Sequence, residues 1–418
     1  MLARSVYPGK WVVGAEMLRE NRDLDPRQRR ALIYLAFAIV LTMTTWFSAS
    51  AVIPQLREEW ALSDGPAAWL TIGVQLGFVA GALVSSLTNL PDVISPRVLI
   101  ASSAMLAAAA NLGVLLADGP GLAIPLRFMT GAFLAGVYPP AVKLLATWFK
   151  AGRGTALGLL IGALTLGTAA PHLVNALGGL EWRTVIWVTS VLTVLGGVFV
   201  LLFVREGPYP FPRATFDITQ TARVFSNRRV FLASLGYFGH MWELYAMWAW
   251  FIVFLRASLG EDGSEGGSAA ALATFAVIAI GAIGCWLGGI IGDRWGRPQA
   301  TTLMMTVSAV CSVAIGFTFE GPMWLVVAVG LVWGVSVVGD SAQFSAMVTE
   351  YADPRYVGTA LTLQLALGFT LTVVTIWLLP WLEERVTWQW AFAVLAAGPL
   401  IGIVSMLRLR SNLAKVGV

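Results

Sequence analysis

Apolar residues run through this chain in twelve long blocks separated by short polar stretches. The blocks cover 31–53, 67–90, 98–117, 122–142, 155–177, 184–204, 230–255, 269–291, 300–319, 323–347, 356–379 and 387–407. Each is close to or above the roughly 18 apolar residues that mark a bilayer-crossing helix. Helix is the predicted element because lipid offers backbone N–H and C=O groups no outside partner. A transmembrane barrel would instead alternate apolar and polar positions in segments of about ten residues. No such alternation is evident. The pattern therefore predicts an all-α membrane protein with twelve transmembrane helices, numbered spans 1 to 12 in chain order.

Composition agrees with this pattern. Charged residues are 12% of the chain and mean hydropathy is +0.76, too apolar for a soluble domain. The first thirty residues are polar, end in Arg27, Arg29 and Arg30, and lack the short apolar stretch of a signal peptide. Cys285 and Cys311 fall in different spans, so neither a disulfide framework nor a metal site is expected. No cofactor or nucleic acid is implied. The net charge of +4 comes from how the loops are charged.

Those loops predict orientation. The two termini and the loops after the even-numbered spans carry 22 of the 27 lysines and arginines. The opposite loops hold Arg57, Arg183, Arg256 and Arg385, and include the acid-rich SLGEDGSEGGS, Ser258 to Ser268. The positive-inside rule then places both termini in the cytoplasm and the chain in the plasma (inner) membrane.

The longest internal loop opens REGPYPFP after span 6, where prolines disfavour a continuous helix. It divides the chain into a tail (1–30), a six-helix half (31–204), a linker (205–228), a second six-helix half (229–408) and a closing tail (409–418). Short matches relate the halves. Trp-Phe recurs in TTWF at Thr44 and WAWF at Trp248, and GTAL recurs at Gly154 and Gly358, both at an offset of 204. Each pair falls in equivalent spans, 1 with 7 and 5 with 11, so duplication is the reading. Halves of this kind place a substrate site between them near the midplane. Rows of glycines four apart, at Gly73, Gly77 and Gly81, at Gly154, Gly158 and Gly162, and at Gly284, Gly288 and Gly292, predict close helix contacts.

GGIIGDRWGRPQ, Gly288 to Gln299, ends the eighth apolar run with a knot of charge. At the duplication offset its counterpart is SSLTNLPDVISPR, where Asn89 stands for Asp293 and the glycines are missing. The stretch resembles the signature between spans 8 and 9 of the major facilitator superfamily, through Gly288, Gly292, Asp293, Arg294, Gly296 and Arg297. RFMTG, Arg127 to Gly131, looks like that family's span-4 motif, and the resemblance covers essentially the whole chain. It implies two pseudo-symmetric six-helix bundles, alternating access by rocking, and a cavity lined by spans 1, 4, 7 and 10. It also implies a cytoplasmic gate in which Asp293 meets the start of span 5 near Gly154 while Arg294 and Arg297 tie neighbouring helix ends. VYPPAVKLLATWF followed by RGTALG loosely resembles the branch of anion porters for nitrate, nitrite and cyanate.

Three spans carry Asp, Glu, Lys or Arg well inside them: Arg127, Glu243 and Asp340. A charge facing lipid costs about 2.5–3.5 kcal/mol, so these should face protein or water. On span 7, Gly236, His240, Glu243, Met247 and Trp250 share a face. Burial disfavours the charged form of Glu243, which suits it to proton coupling with His240 one turn away. A structural ion pair with Arg127 is the alternative. Arg127 is the candidate fork for an anionic substrate, or else a coupling or structural residue. Asp340, towards the cytoplasmic end, is assigned to gating. His172 is expected to be satisfied locally. Trp46, Tyr138, Tyr237, Trp242, Tyr245, Trp248 and Trp250 crowd the cavity spans, and Trp46, Tyr138, His240 and Tyr245 join Arg127 as candidate substrate contacts.

The expected function is proton-coupled symport of a small polar metabolite or organic anion, with drug or metabolite efflux by proton antiport as the alternative. The expected partners are that small-molecule substrate, protons and the lipid bilayer, with the chain acting as a monomer. An enzyme would need converging nucleophile, base or metal ligands, and His172 and His240 lie in opposite halves. No phosphate-binding loop suggests ATP drive.

Overall fold

Several helix starts are written locally. Pro96 and Pro120 open their helices at positions where a missing N–H costs nothing, and Asp25 caps the helix starting at Pro26 by accepting from the Arg27 amide at 2.9 Å. Asn227 caps the helix Arg228–Ser258, its side chain accepting from the amides of Arg229 and Val230. The computed structural model describes residues 25–149, 153–178, 181–209, 221–260, 267–353 and 356–416. Most of the first tail, the heart of the linker and residues 261–266 of the acid-rich loop lie outside them. Every regular element among the described residues is a helix.

Spans 2 to 6 are Asp64–Leu87, Pro96–Leu116, Pro120–Ala146, Gly154–Leu177 and Trp182–Phe203. Spans 8 to 10 are Gly267–Trp295, Arg297–Phe317 and Met323–Tyr351. Spans 11 and 12 share the 58-residue stretch Val357–Ala414, interrupted at Thr387, where φ is 62°. Span 7 is the 31-residue helix Arg228–Ser258, long enough to cross at about 1.5 Å per residue. Span 1 is bent by 50° between Pro26–Thr45 and Ser50–Trp60.

That bend has a sequence cause. Thr42 and Thr44 turn their hydroxyls back to the carbonyls of Ala38 and Leu41, both at 2.9 Å, and Ser48 donates to Thr45 at 3.1 Å. Such back-bonding competes with the helix ladder and bends it. Pro54 then sits in the first turn of the helix that resumes at Ile53.

The two halves repeat their contacts. Spans 1 and 6 touch where a Cβ on Gly196 would lie 3.1 Å from the Ala38 carbonyl, and spans 7 and 12 touch where one on Gly398 would lie 2.7 Å from Trp242 Cβ. Spans 2 and 4 meet at Gly77, Gly81 and Gly131, whose Cβ positions are occupied by backbone of the partner helix. Their counterparts, spans 8 and 10, meet likewise at Gly284 and Gly288 against Val335 and Gly339. Between the halves, Gly162 of span 5 faces Ala282 of span 8, and Phe78 of span 2 faces Phe369 of span 11 with ring centroids 4.7 Å apart.

Neighbouring glycines provide a test. A Cβ on Gly288 would lie 2.7 Å from the Gly339 carbonyl carbon, whereas one on Gly289 meets nothing within 4 Å. Gly288→Ala should destabilise by about 1–3 kcal/mol through overpacking. Gly289→Ala should be neutral or stabilising by up to about 1 kcal/mol through helix propensity. Melting temperatures of the two variants in detergent check this, and equal values would refute the packing assignment.

Candidate functional site

Arg127 sits on span 4 with no exposed surface. Its Nη1 donates to the Thr45 carbonyl (2.9 Å), Ser48 Oγ (3.0 Å) and Asn111 Oδ1 (2.7 Å). Its Nη2 donates to the Trp46 carbonyl and its Nε, more weakly at 3.5 Å, to the Leu70 carbonyl. Asn111 in turn donates from Nδ2 to Ser190 Oγ (2.9 Å) and the Ile186 carbonyl (3.3 Å). One polar knot therefore joins spans 1, 2, 3, 4 and 6 at the bend. The sequence pattern makes Arg127 an anion fork. In this conformation all three of its nitrogens already donate within the protein, and it pairs with neither Glu243 nor any other carboxylate among the described residues. The sequence pattern misses Asn111 and Ser48 because neither carries a full charge.

The titratable groups of span 7 sort differently from the sequence expectation. Glu243 accepts from Ser308 Oγ at 2.8 Å and Trp333 Nε1 at 2.7 Å, both within its own bundle. The expected Glu243–His240 partnership does not form. His240 Nδ1 lies instead 2.8 Å from Asp340 Oδ1, and both side chains are buried. The two atoms are at ion-pair distance but are not aligned as a hydrogen bond. Asp340 stands where span 10 breaks, between Met323–Gly339 and Ser341–Tyr351. That break brings the carboxylate to His240, which lies about 18 Å along span 7 from Arg228. Asp340 thus sits against span 7 beside His240. The rings of Tyr237 and Phe344 lie 6.0 and 5.7 Å from the imidazole. Tyr138, from the other half, opens the helix Tyr138–Ala146 and packs partly buried against the core.

Aromatic rings cross between the bundles next to this pair. Trp46 touches Phe78, Tyr245 and Phe369 at 4.8, 5.9 and 5.7 Å, and Phe47 touches Tyr245 and Trp248, both at 6.0 Å. Further towards the end that carries Arg57, its guanidinium lies 5.7 Å over the Trp250 ring, and Arg256 pairs with Glu58 at 3.9 Å. The bundles are therefore in contact at that end. Trp242 and Trp250 hand their N–H groups to the carbonyls of Val394 (3.2 Å) and Ile376 (2.9 Å), which makes them packing residues in this conformation. Several buried groups have no hydrogen-bond partner among the described residues: both side-chain atoms of Gln75, the indole nitrogens of Trp46 and Trp248, and both ring nitrogens of His172. His172 is therefore not satisfied locally, contrary to the sequence expectation. Gln75, uncharged like Asn111, is missed for the same reason.

At the other end, Arg297 donates from Nε to Glu350 Oε1 (2.7 Å) and from Nη1 to Gln343 Oε1 (2.8 Å), tying spans 9 and 10. Asp293 and Arg294 are exposed and make no hydrogen bond or ion pair among the described residues. Gly154, the predicted partner region of Asp293, has nothing within 4 Å of its Cβ position, and residues 150–152 lie outside the described chain.

Residues 35–369 match the family model of the Major Facilitator Superfamily. The uncharacterized transporter YgaY of Escherichia coli O157:H7 is 33% identical over 184 residues, 43% of this chain and 45% of that protein. The puromycin resistance protein pur8 of Streptomyces alboniger is 27% identical over 189 residues, 44% of this chain and 37% of that protein. The gentisate transporter of Corynebacterium glutamicum is 27% identical over 196 residues, 44% of this chain and 43% of that protein. The chain thus spans less than half the length of each of these relatives. In fold it is similar to a crystal structure of the nucleoside transporter NupG, with TM-score 0.70 and 15% identity, covering 91% of this chain and 99% of that one.

The knot at the bend predicts a stability effect. Arg127→Met would take a donor from the Thr45 carbonyl and leave the Trp46 carbonyl without its side-chain donor, at about 1–3 kcal/mol for an orphaned group. The variant should melt well below the parent in detergent, and Arg127→Lys should recover only part of the loss because an ammonium lacks the planar fork. An unchanged melting temperature in Arg127→Met would show that the knot does not hold the bend.

Proposed function

The chain belongs to the Major Facilitator Superfamily and is a multi-pass membrane transporter, and on that premise we propose that it is a proton-coupled carrier of small organic anions working by alternating access. The observation that carries the proton assignment is the buried His240–Asp340 pair, 2.8 Å apart on spans 7 and 10. Coulomb attraction between two such groups depends on how many protons they hold, so gaining or losing one proton changes how spans 7 and 10 hold each other. Glu243 takes the structural role in this reading, since two neutral donors already satisfy its carboxyl oxygens.

The anion assignment is supported by Arg127, a buried cation whose partners are all neutral. The relative named as a gentisate transporter supports it independently. In the proposed orientation the arginine-rich end faces the cytoplasm, and the contacts around Arg57, Glu58, Trp250 and Arg256 close the outer end. Efflux is the second reading, favoured by the puromycin-resistance relative.

Proteoliposomes separate these readings, with radiolabelled gentisate as the probe. An inward proton gradient should drive gentisate accumulation. Asp340→Asn should reduce it to background while gentisate counterflow continues, and Glu243→Gln should leave both in place. Full proton-driven accumulation in Asp340→Asn would refute the proton assignment. Extrusion of gentisate against an inward proton gradient would establish the second reading.

A further inference from the structure

Spans 1 and 2 lie side by side, and two contacts set their register. Ser50 Oγ and Thr71 Oγ1 are 2.6 Å apart, and the rings of Trp46 and Phe78 are 4.8 Å apart. Gln75 is one helical turn from both Thr71 and Phe78, so it shares their face of span 2 and stands opposite Trp46. Gln75 is completely buried and Trp46 is 2% exposed, yet the carboxamide nitrogen and oxygen and the indole nitrogen have no hydrogen-bond partner among the described residues. Buried polar groups are ordinarily bonded, and a transporter has a natural reason to keep some of them free for a ligand.

The chemistry of the place is specific. Gln75 Nε2 and Trp46 Nε1 offer three N–H donors against the one Gln75 carbonyl oxygen. On the same two spans Arg127 donates to the carbonyls of Trp46 and Leu70, with no carboxylate paired to it among the described residues. In front are aromatic rings: Phe78 lies 4.7 Å from Phe369, which lies 5.0 Å from Tyr245. Offset stacking against such rings favours a flat ring over a saturated one of the same size.

We propose that Gln75 and the Trp46 indole N–H are the carboxylate-recognising groups of a binding site for aromatic carboxylates, whose rings stack on Phe78, Tyr245 and Phe369. The carboxylate oxygens accept from Gln75 Nε2 and Trp46 Nε1 in the field of Arg127. The rings now touch one another, so the ligand enters when spans 2 and 11 part. This deepens the anion-transport reading and rests on it.

Binding of benzoate to the purified chain in detergent tests the assignment, measured by isothermal titration, with cyclohexanecarboxylate and benzamide as controls. Benzoate should bind more tightly than either control, since one lacks the flat ring and the other the charge. Gln75→Leu should weaken benzoate binding by about ten- to a hundredfold, the value of hydrogen bonds to a charged group. Trp46→Phe keeps a ring but removes one donor, and should weaken binding less. Phe369→Leu should reduce the preference for benzoate over cyclohexanecarboxylate. Unchanged benzoate affinity in a folded Gln75→Leu would overturn the site and show that the amide holds only water. Should Gln75→Leu fail to fold, unchanged affinity and ring preference in Trp46→Phe and Phe369→Leu would overturn it equally. Binding of cyclohexanecarboxylate as tight as benzoate would also overturn the site, while leaving anion transport standing. If proteoliposomes move no carboxylate, aromatic or aliphatic, the anion-transport reading itself fails.

Discussion

Lipid supplies no hydrogen bonds, so a helix that breaks inside a membrane must find donors for its released carbonyls within the protein. In this molecule span 1 breaks after a run of threonines, and Arg127 meets the need by donating to the carbonyls of Thr45 and Trp46. The contact between the bundles depends on that interaction. The bend turns Trp46 and Phe47 towards the second bundle, where they meet Tyr245 and Trp248. It also carries Arg57 and Glu58 to the end where they face Trp250 and Arg256. A cation at that depth is tolerated because Asn111, Ser48 and three carbonyls surround it.

A second constraint is how closely helices approach. Apolar side chains gain little from one another in lipid, so contact area and backbone proximity carry helix association. Glycine does this at Gly77 and Gly131 in the first half and at Gly284 and Gly288 in the second. The same span pairs are joined in each half, which is how a duplicated chain yields two bundles of one design. The contacts between bundles are different in kind. Rings dominate between spans 2 and 11, and small residues between spans 5 and 8, so the interface can part without separating the helices within either bundle.

Polar residues in the spans differ in whether the chain itself satisfies them. Glu243 has Ser308 and Trp333, and Asn111 has Ser190. Gln75, the indoles of Trp46 and Trp248 and both ring nitrogens of His172 have no partner among the described residues. Buried groups left unpaired within an otherwise well-bonded interior call for a partner from outside the chain.

The apolar runs by themselves determined the helical class and the twelve crossings, because lipid permits little besides helices and because length is set by bilayer thickness. Composition likewise dictated that Arg127, Glu243 and Asp340 face inward, since exposure to lipid would be costly. Which partner each charge took was decided by the tertiary structure alone. His240 and Glu243 are three residues apart on one helix, yet one reaches Asp340 and the other Trp333, because the break in span 10 and the packing of span 9 determine what stands opposite each turn. The uncharged amides Gln75 and Asn111 were visible in the apolar runs as polar interruptions, but their opposite fates, one free and one fully bonded, depend on neighbours far away in the chain. Helical period states which way a side chain faces, and only the assembled bundle states what it meets there.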